Sequence, residues 1–225
     1  MFVMIIVIDG PAGSGKSSTA KAVADRLDLQ YLDSGALYRI VTLAWIEADR
    51  DPALFDRLGT LSVDFEYRGG MFHVRLDGRD RTADIRSSSV NEAVSLAAAD
   101  VRVRSRVNAW MRERIRNRAC IADGRDLGTA VFPDADLKIF MDASPRTRAE
   151  RRALELRSAG EPVDVSEVLE GILERDRLDS SREADPLRMA SDAVRIDTDA
   201  FDFDQQVDHV AKLVAEHVPA ASAPR

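Results

Sequence analysis

Near the start of the chain, Gly10-Pro11-Ala12-Gly13-Ser14-Gly15-Lys16-Ser17 has the residue types and spacing that grip a phosphate chain. The run matches G-x-x-x-x-G-K-[ST]. Its glycines let backbone N–H groups close around phosphate oxygens, and a helix beginning there presents its positive end to the same anion. Lys16 reaches the β- and γ-phosphates, and the hydroxyl of Ser17 or Ser18 can hold Mg²⁺. Residues Gly10 to Ser18 are therefore the candidate donor site for ATP or GTP. The loop alone names no phosphoryl acceptor and leaves open a hydrolysing switch, for which Ile121-Ala122-Asp123 would supply the strand-end carboxylate.

Three further segments bear on the acceptor. These are Leu32-Asp33-Ser34-Gly35-Ala36-Leu37-Tyr38-Arg39, Ile121-Ala122-Asp123-Gly124-Arg125-Asp126-Leu127-Gly128-Thr129 and Arg175-Asp176-Arg177-Leu178-Asp179-Ser180-Ser181-Arg182. Moving a γ-phosphoryl group between two polyanions demands positioning and charge neutralisation more than covalent chemistry. Planar guanidinium forks suit that task. On a helix Arg175, Asp179 and Arg182 share one face at i, i+4 and i+7, with Val168 and Ile172 earlier on the same stripe. A stripe that turns from apolar to charged is what a lid needs, namely a packed root and a polar tip over phosphates. The spacing alone also fits a solvated, salt-bridged helix face.

Taken with the phosphate loop, the patterns D-S-G-A-x-Y-R, A-D-G-R-D-x-G-T and R-D-x-x-D-x-x-R resemble the bacterial cytidylate kinase family over nearly the whole chain. The resemblance implies an α/β fold: a P-loop NTPase-type parallel sheet flanked by helices, with an inserted antiparallel β-hairpin/helix acceptor-binding subdomain and a helical lid. It implies ATP- and Mg²⁺-dependent phosphorylation of CMP and dCMP to CDP and dCDP by a cytoplasmic monomer. Another small-acceptor P-loop kinase, for UMP, dTMP or shikimate, is the nearest alternative, and a non-kinase nucleotide switch is the next.

By the same resemblance Lys16, Arg125, Arg175 and Arg182 are catalytic. Arg39 and Arg125 hold the acceptor phosphate, and Ser34 and Tyr38 belong to the acceptor nucleoside site. Ser95, Arg104 and Asp126 read the base, Asp179 takes a sugar hydroxyl, and Arg175 and Arg182 take ribose or phosphate. Arg104 lies in Val101-Arg102-Val103-Arg104-Ser105-Arg106, where a two-residue shift selects another arginine. Ser17 stands where nucleoside monophosphate kinases often have Gly before Thr, so either Ser17 or Ser18 supplies the Mg²⁺ hydroxyl.

These residues need elements to position them. Met1 to Ile8 is apolar and β-branched, as a strand covered on both faces should be. Ala20, Val23, Ala24 and Leu27 then form a helical stripe, and Ala119–Ala122, Leu137–Met141 and Ala193–Ile196 read as further buried strands. The last helix carries Val207, Val210, Val214 and Val218, and residues 219–225 read as a frayed tail. In the middle, Leu61, Val63, Phe65 and Tyr67 alternate, as do Phe72, Val74 and Leu76, around a Gly69-Gly70 turn. Pairing Arg68 with Met71 puts Tyr67 opposite Phe72, Phe65 opposite Val74 and Val63 opposite Leu76, all on one face. Val90, Val94 and Ala97 are expected on a helix behind that hairpin. The expected organisation is one kinase domain: a core of about 1–58 and 101–218, an insert of about 60–100 and a lid of about 158–186.

Composition bounds the rest. The chain has 225 residues, one Cys, 32 Lys plus Arg against 39 Asp plus Glu, and a formal charge of −7. The acidic balance argues against bulk nucleic-acid or anionic-membrane binding. One Cys excludes a disulfide framework and a Cys-rich zinc site, and suits a reducing compartment. The apolar run ended by Asp9 is far shorter than the roughly 20 residues of a spanning helix, and it lacks the marks of a secretory signal. Seven Arg fall between 102 and 118, but Val103, Val107, Trp110 and Met111 trace an apolar stripe among them. Cys120, Trp45 and Trp110 read as core residues. His73, His209 and His217 have no metal-ligand spacing.

Overall fold

A computed structural model describes residues 4–115, 118–158, 160 and 162–217. Five parallel strands form the central sheet: β1 (Ile5–Asp9), β2 (Gln30–Asp33), β6 (Cys120–Gly124), β7 (Leu137–Asp142) and β8 (Val194–Asp197). Their spatial order is β2-β6-β1-β7-β8. The apolar runs expected as strands form β1, β6, β7 and β8. The expectation missed β2. Its Gln30-Tyr31-Leu32-Asp33 is short, and half of it is polar, so no period-2 signal rises from it.

The register explains why the motifs meet. Asp9 of β1 pairs with Gly124 of β6, and Asp33 of β2 pairs with Asp123. Three adjacent strands therefore end at one level. The phosphate loop, the Arg125 segment and the Ser34–Arg39 segment leave side by side from their carboxyl ends, where open α/β sheets bind ligands.

Helices cover both faces. Helix α1 (Lys16–Leu27) buries Ala20, Val23 and Ala24, and α7 (Phe203–His217) lies beside it with Val207, Val210 and Val214 buried. Val218 and residues 219–225 lie outside the described residues. Helix α2 (Ser34–Glu47) begins directly after β2, capped by the Asp33 carboxylate, which accepts from Ala36 N at 2.9 Å. Helices α3 (Ser88–Ala99) and α4 (Val101–Arg114) follow the second, antiparallel sheet in the chain, with Val103, Val107, Trp110 and Met111 of α4 buried. Helices α5 (Pro145–Ser158) and α6 (Val165–Ser181) pack against each other. Cys120 is buried in β6, and Trp45 is half-buried against Phe55, with ring centroids 5.4 Å apart.

The second sheet is antiparallel: β3 (Val63–Arg68), β4 (Met71–Leu76) and a short β5 (Arg79–Asp80). Its pairs are those the alternation predicts: Arg68 with Met71, Tyr67 with Phe72, Phe65 with Val74 and Val63 with Leu76. Gly69 (φ 59°) and Gly70 (φ 73°) both take left-handed backbone, as a type I′ turn requires. The apolar face turns toward the central sheet. Phe72 and Val74 are buried, and Tyr31 of β2 meets the rings of Tyr67 and Phe72 edge-on at 5.1 and 6.0 Å. Helix α3 departs from expectation. Val90, Val94 and Ala97 are buried, but α3 packs chiefly on α2 and α4, while the hairpin leans on β2 and α2. The α3 stripe is one face wide, and two helices already fill it.

The turn geometry makes a stability prediction. Gly69→Asn should leave the melting temperature unchanged or raise stability by about 0.5 kcal/mol, because Asn tolerates the left-handed region and restricts the unfolded chain. Gly69→Val should destabilise by about 1 kcal/mol or more, because a β-branched residue resists positive φ. Thermal melts of both variants check this, and equal melting points would remove the I′ turn as the register-setting element.

Candidate active site

The phosphate loop runs from β1 into α1. Gly10, at φ 150°, lies so close to β7 that an added Cβ would sit 2.0 Å from the Met141 carbonyl oxygen, so any side chain would push the loop off the sheet. Lys16 is buried at the first position of α1, and its Nζ donates to Pro11 O across the loop at 2.9 Å. Burial, then the neighbouring Arg125 and Arg175, push its pKa down to about 7. Ser17 Oγ donates to Asp123 Oδ2 at 2.5 Å, whereas Ser18 is exposed. Tyr31 donates to the other Asp123 oxygen at 2.5 Å, and burial raises the pKa of this carboxyl. A hydroxyl beside a buried carboxylate is a donor set that suits a hard, partly hydrated Mg²⁺. Among the described residues no cluster of three or more His, Cys, Asp or Glu forms a metal site by itself.

Asp9 ties the donor and acceptor segments together. Its carboxylate accepts from the backbone N–H of Leu127 (2.9 Å) and Gly128 (2.7 Å), at the start of a π-helical turn over Leu127–Val131. Burial nevertheless pushes its pKa up to about 6. That turn holds Arg125 and Asp126 over the sheet edge.

Around it the expected residues assemble into a network. Arg104, 2% exposed, pairs with Asp126 (5%), and its Nε donates to Asp185 at 2.9 Å. Arg182 Nη2 donates to the other Asp126 oxygen at 3.0 Å, and Arg125 Nε donates to Asp179 Oδ2 at 3.0 Å. Burial works to raise the Asp179 pKa, but Arg125, Arg175 and Arg182 outweigh it and the net shift is downward. Of the three arginines between 101 and 106, Arg104 meets Asp126. Arg102 pairs with Asp100 and Asp56, and Arg106 lies over the Trp110 ring at 5.0 Å. Tyr38 puts its ring under Arg104, 5.6 Å from centroid to guanidinium, and its hydroxyl donates to Asn108 at 3.3 Å.

Two arginines stand apart. Arg39 donates to Ile85 O at 3.3 Å and to Asn91 Oδ1, both neutral groups. Arg175 keeps a buried Nε with no hydrogen-bond partner among the described residues. Burial together with neighbouring arginines lowers both pKa values to about 10.

Other placements differ from a simple helical face or a direct pocket. Ser34 is buried, and its Oγ donates to the Asp123 carbonyl at 2.7 Å, stitching α2 to β6. Ser95 is half-buried on α3, one turn before Ala98, whose carbonyl accepts from Arg104 at 3.3 Å; no described hydrogen bond joins Ser95 itself to the network. Helix α6 ends at Ser181, so Arg182 is a C-cap with extended backbone, and its side chain returns to Asp126 from outside the helix. Sequence reasoning missed Arg148. It is 3% exposed and forks onto Asp176 (3.1 and 2.6 Å) while donating to the Ala12 carbonyl of the phosphate loop at 3.1 Å. It lies on α5 among several arginines, and nothing in their spacing singles it out.

A phosphate loop on the central strand, facing a second set of buried arginines with a paired donor and acceptor at its back, defines a small P-loop kinase. A model of the cytidylate kinase family matches residues 6–216. The chain belongs to the cytidylate kinase family. It is 41% identical to a cytidylate kinase of Mycobacterium avium over 97% of this chain and 98% of that protein. It is 44% identical to a bifunctional pantoate ligase/cytidylate kinase of Prochlorococcus marinus, over 96% of this chain and 45% of that protein. The chain thus spans about half the length of such bifunctional relatives. In fold it resembles the crystal structure of a Thermus thermophilus protein, 19% identical, with a TM-score of 0.54 over 98% of this chain and 100% of that one. Among the described residues, no helix is long and apolar enough to cross a membrane.

The depressed Lys16 predicts a proton change. Burial and the neighbouring arginines lower its pKa to about 7, so above that pH the free site gives up part of its charge, and a triphosphate beside it favours the charged form. Binding of ATP at pH 8 should therefore take up protons, a fraction of one per site. Calorimetry in two buffers of different ionisation enthalpy measures the uptake, and Lys16→Met should abolish it. Zero uptake in the unsubstituted protein would mean that Lys16 is already charged in the free site.

Proposed function

We propose that this chain transfers the γ-phosphoryl group of ATP to CMP and dCMP, yielding ADP and CDP or dCDP. The observation that supports this most is the buried Arg104–Asp126 pair above the Tyr38 ring, next to the arginines of the phosphate cleft. A guanidinium can donate to cytosine N3 or O2 while a carboxylate accepts from its exocyclic amine. Uracil presents an N–H and a carbonyl at those positions, leaving buried groups unmatched at a cost of about 1–3 kcal/mol.

In this reading the backbone of Gly10 to Gly15 cradles the donor phosphates, and Lys16 neutralises the β- and γ-oxygens. Ser17, oriented by Asp123, would hold Mg²⁺, which when bound neutralises charge on the phosphate chain. Arg39 and Arg125 clamp the acceptor phosphate. Arg175, whose Nε has no hydrogen-bond partner among the described residues and which is flanked by Arg125, meets the phosphoryl group in flight, where its charge counts most. Asp179 takes a ribose hydroxyl, and Arg182 braces Asp126. Arg148 fixes α6 to the phosphate loop, so it acts by positioning. Residues of about 60–100 form the acceptor insert, and the lid spans about 158–186, of which 159 and 161 lie outside the described residues. The substrates are small soluble nucleotides, and we assign the enzyme to the cytoplasm as a monomer.

The test is an ADP-release assay with CMP, dCMP, UMP, AMP, dTMP and shikimate. Fast release with CMP and dCMP, and slow release without acceptor, is expected; equal release with and without acceptors sinks the kinase reading. Lys16→Ala should lower kcat by roughly 10²-fold or more while CMP still binds. Asp126→Asn keeps the shape but loses the charge, and should cut the CMP-over-UMP preference by roughly tenfold with KM for ATP unchanged. An unaltered preference would remove Asp126 from base reading.

A further inference from the structure

We infer that Asn91 is a positioning residue for acceptor-phosphate binding, holding the Arg39 guanidinium in place without cancelling its charge. This rests on the reading of Arg39 as an acceptor-phosphate ligand.

The arginines of the site, buried or half-buried, divide by partner. Arg104, Arg125, Arg148 and Arg182 each carry a carboxylate. Arg39 does not: among the described residues no carboxylate oxygen lies within 4.0 Å of it. The nearest acid by charge influence is Asp33. Its oxygens are already engaged, one by Ala36 N at 2.9 Å and the other by Arg86 at 3.4 Å. What holds Arg39 comes from the insert side: the Ile85 carbonyl, in the 3₁₀ turn of Asp84–Arg86, and Asn91 Oδ1 on α3.

The amide of Asn91 is itself oriented. Its Nδ2 donates to the Arg86 carbonyl at 3.1 Å, which leaves Oδ1 as the atom turned to Arg39. The turn thereby holds one guanidinium twice, directly through the Ile85 carbonyl and, from the Arg86 carbonyl, by way of Asn91. An aspartate would make the same hydrogen bond with a full negative charge, the strong charge-assisted kind. It would stabilise the empty site and compete with an incoming phosphate for the same cation. Asparagine gives direction only. Arg39 keeps its charge among Arg86, Arg125 and Arg152, a crowding that an anionic group relieves.

The experiment compares Asn91→Asp, Asn91→Ala and Arg39→Ala, using CMP, cytidine and ATP as ligands and thermal melts as a folding control. Asn91→Asp gains an ion pair with Arg39 but loses the bond to the Arg86 carbonyl, so it should stay folded and melt within a few degrees of the unsubstituted temperature. It should raise KM for CMP about tenfold, with cytidine affinity and KM for ATP within about twofold. Asn91→Ala should raise KM for CMP severalfold, again sparing cytidine. A purely structural Asn91 would weaken CMP and cytidine together, or neither. If Arg39→Ala raises KM for CMP but both Asn91 variants leave the CMP-to-cytidine affinity ratio unchanged, the positioning role is overturned. If Arg39→Ala itself leaves KM for CMP unchanged, the acceptor-phosphate reading falls first. Should Asn91→Asp fail to fold, the ratio measured on Asn91→Ala decides.

Discussion

The whole site is organised around cations held closer together than they would choose to be. Lys16, Arg39, Arg125 and Arg175 depress or crowd one another, and burial removes the water that would otherwise screen them. A protein tolerates such an arrangement only where something else fixes each group. Here backbone carbonyls, one amide and a few carboxylates do so: Pro11 O for Lys16, Ile85 O and Asn91 for Arg39, Asp179 for Arg125. The residual positive charge suits the two anionic nucleotides that the proposed reaction brings together. A net charge of −7 is compatible with that function because the field that matters is local, focused by a cleft with low-dielectric walls.

That concentration of charge depends on strand order. With β2, β6 and β1 adjacent and their ends in register, segments far apart in the chain leave the sheet at one edge. Asp9 and Asp123 then work as struts within the protein. One holds the turn carrying Arg125 and Asp126, and the other holds Ser17 while Tyr31 supports it from β2. Tyr31 also meets the hairpin rings, so the antiparallel sheet and the Ser17 hydroxyl share a neighbour. From the other side Arg148 joins α6 to the phosphate loop.

Much of this was legible in the residues. The phosphate loop announces itself because its chemistry is local: backbone amides, one lysine and one hydroxyl within a single turn. The hairpin register followed from period-2 alternation around Gly69-Gly70, and the structure reproduces it pair for pair. The arginine motifs point to candidate acceptor residues, through resemblance and through the chemistry of guanidinium forks. Less visible was β2, too short and too polar to show a period, though it forms the edge on which the acceptor side is built. The place of α3 was misread because an amphipathic stripe says that a face is buried and not what buries it.

The sequence by itself determined the chemical inventory: a phosphate cradle, a surplus of arginines in three short motifs, and the alternating and helical patterns that define the elements. Those signals depend on neighbours within a few residues, which a linear chain displays. Tertiary structure alone decided which cations, among the described residues, meet a carboxylate and which do not. Arg104 and Asp126 are 22 positions apart, Arg39 and Asn91 are 52, and Arg148 reaches Ala12 across 136. Whether a guanidinium faces a carboxylate or an amide is set by strand register and helix packing over such distances, and no local pattern encodes it.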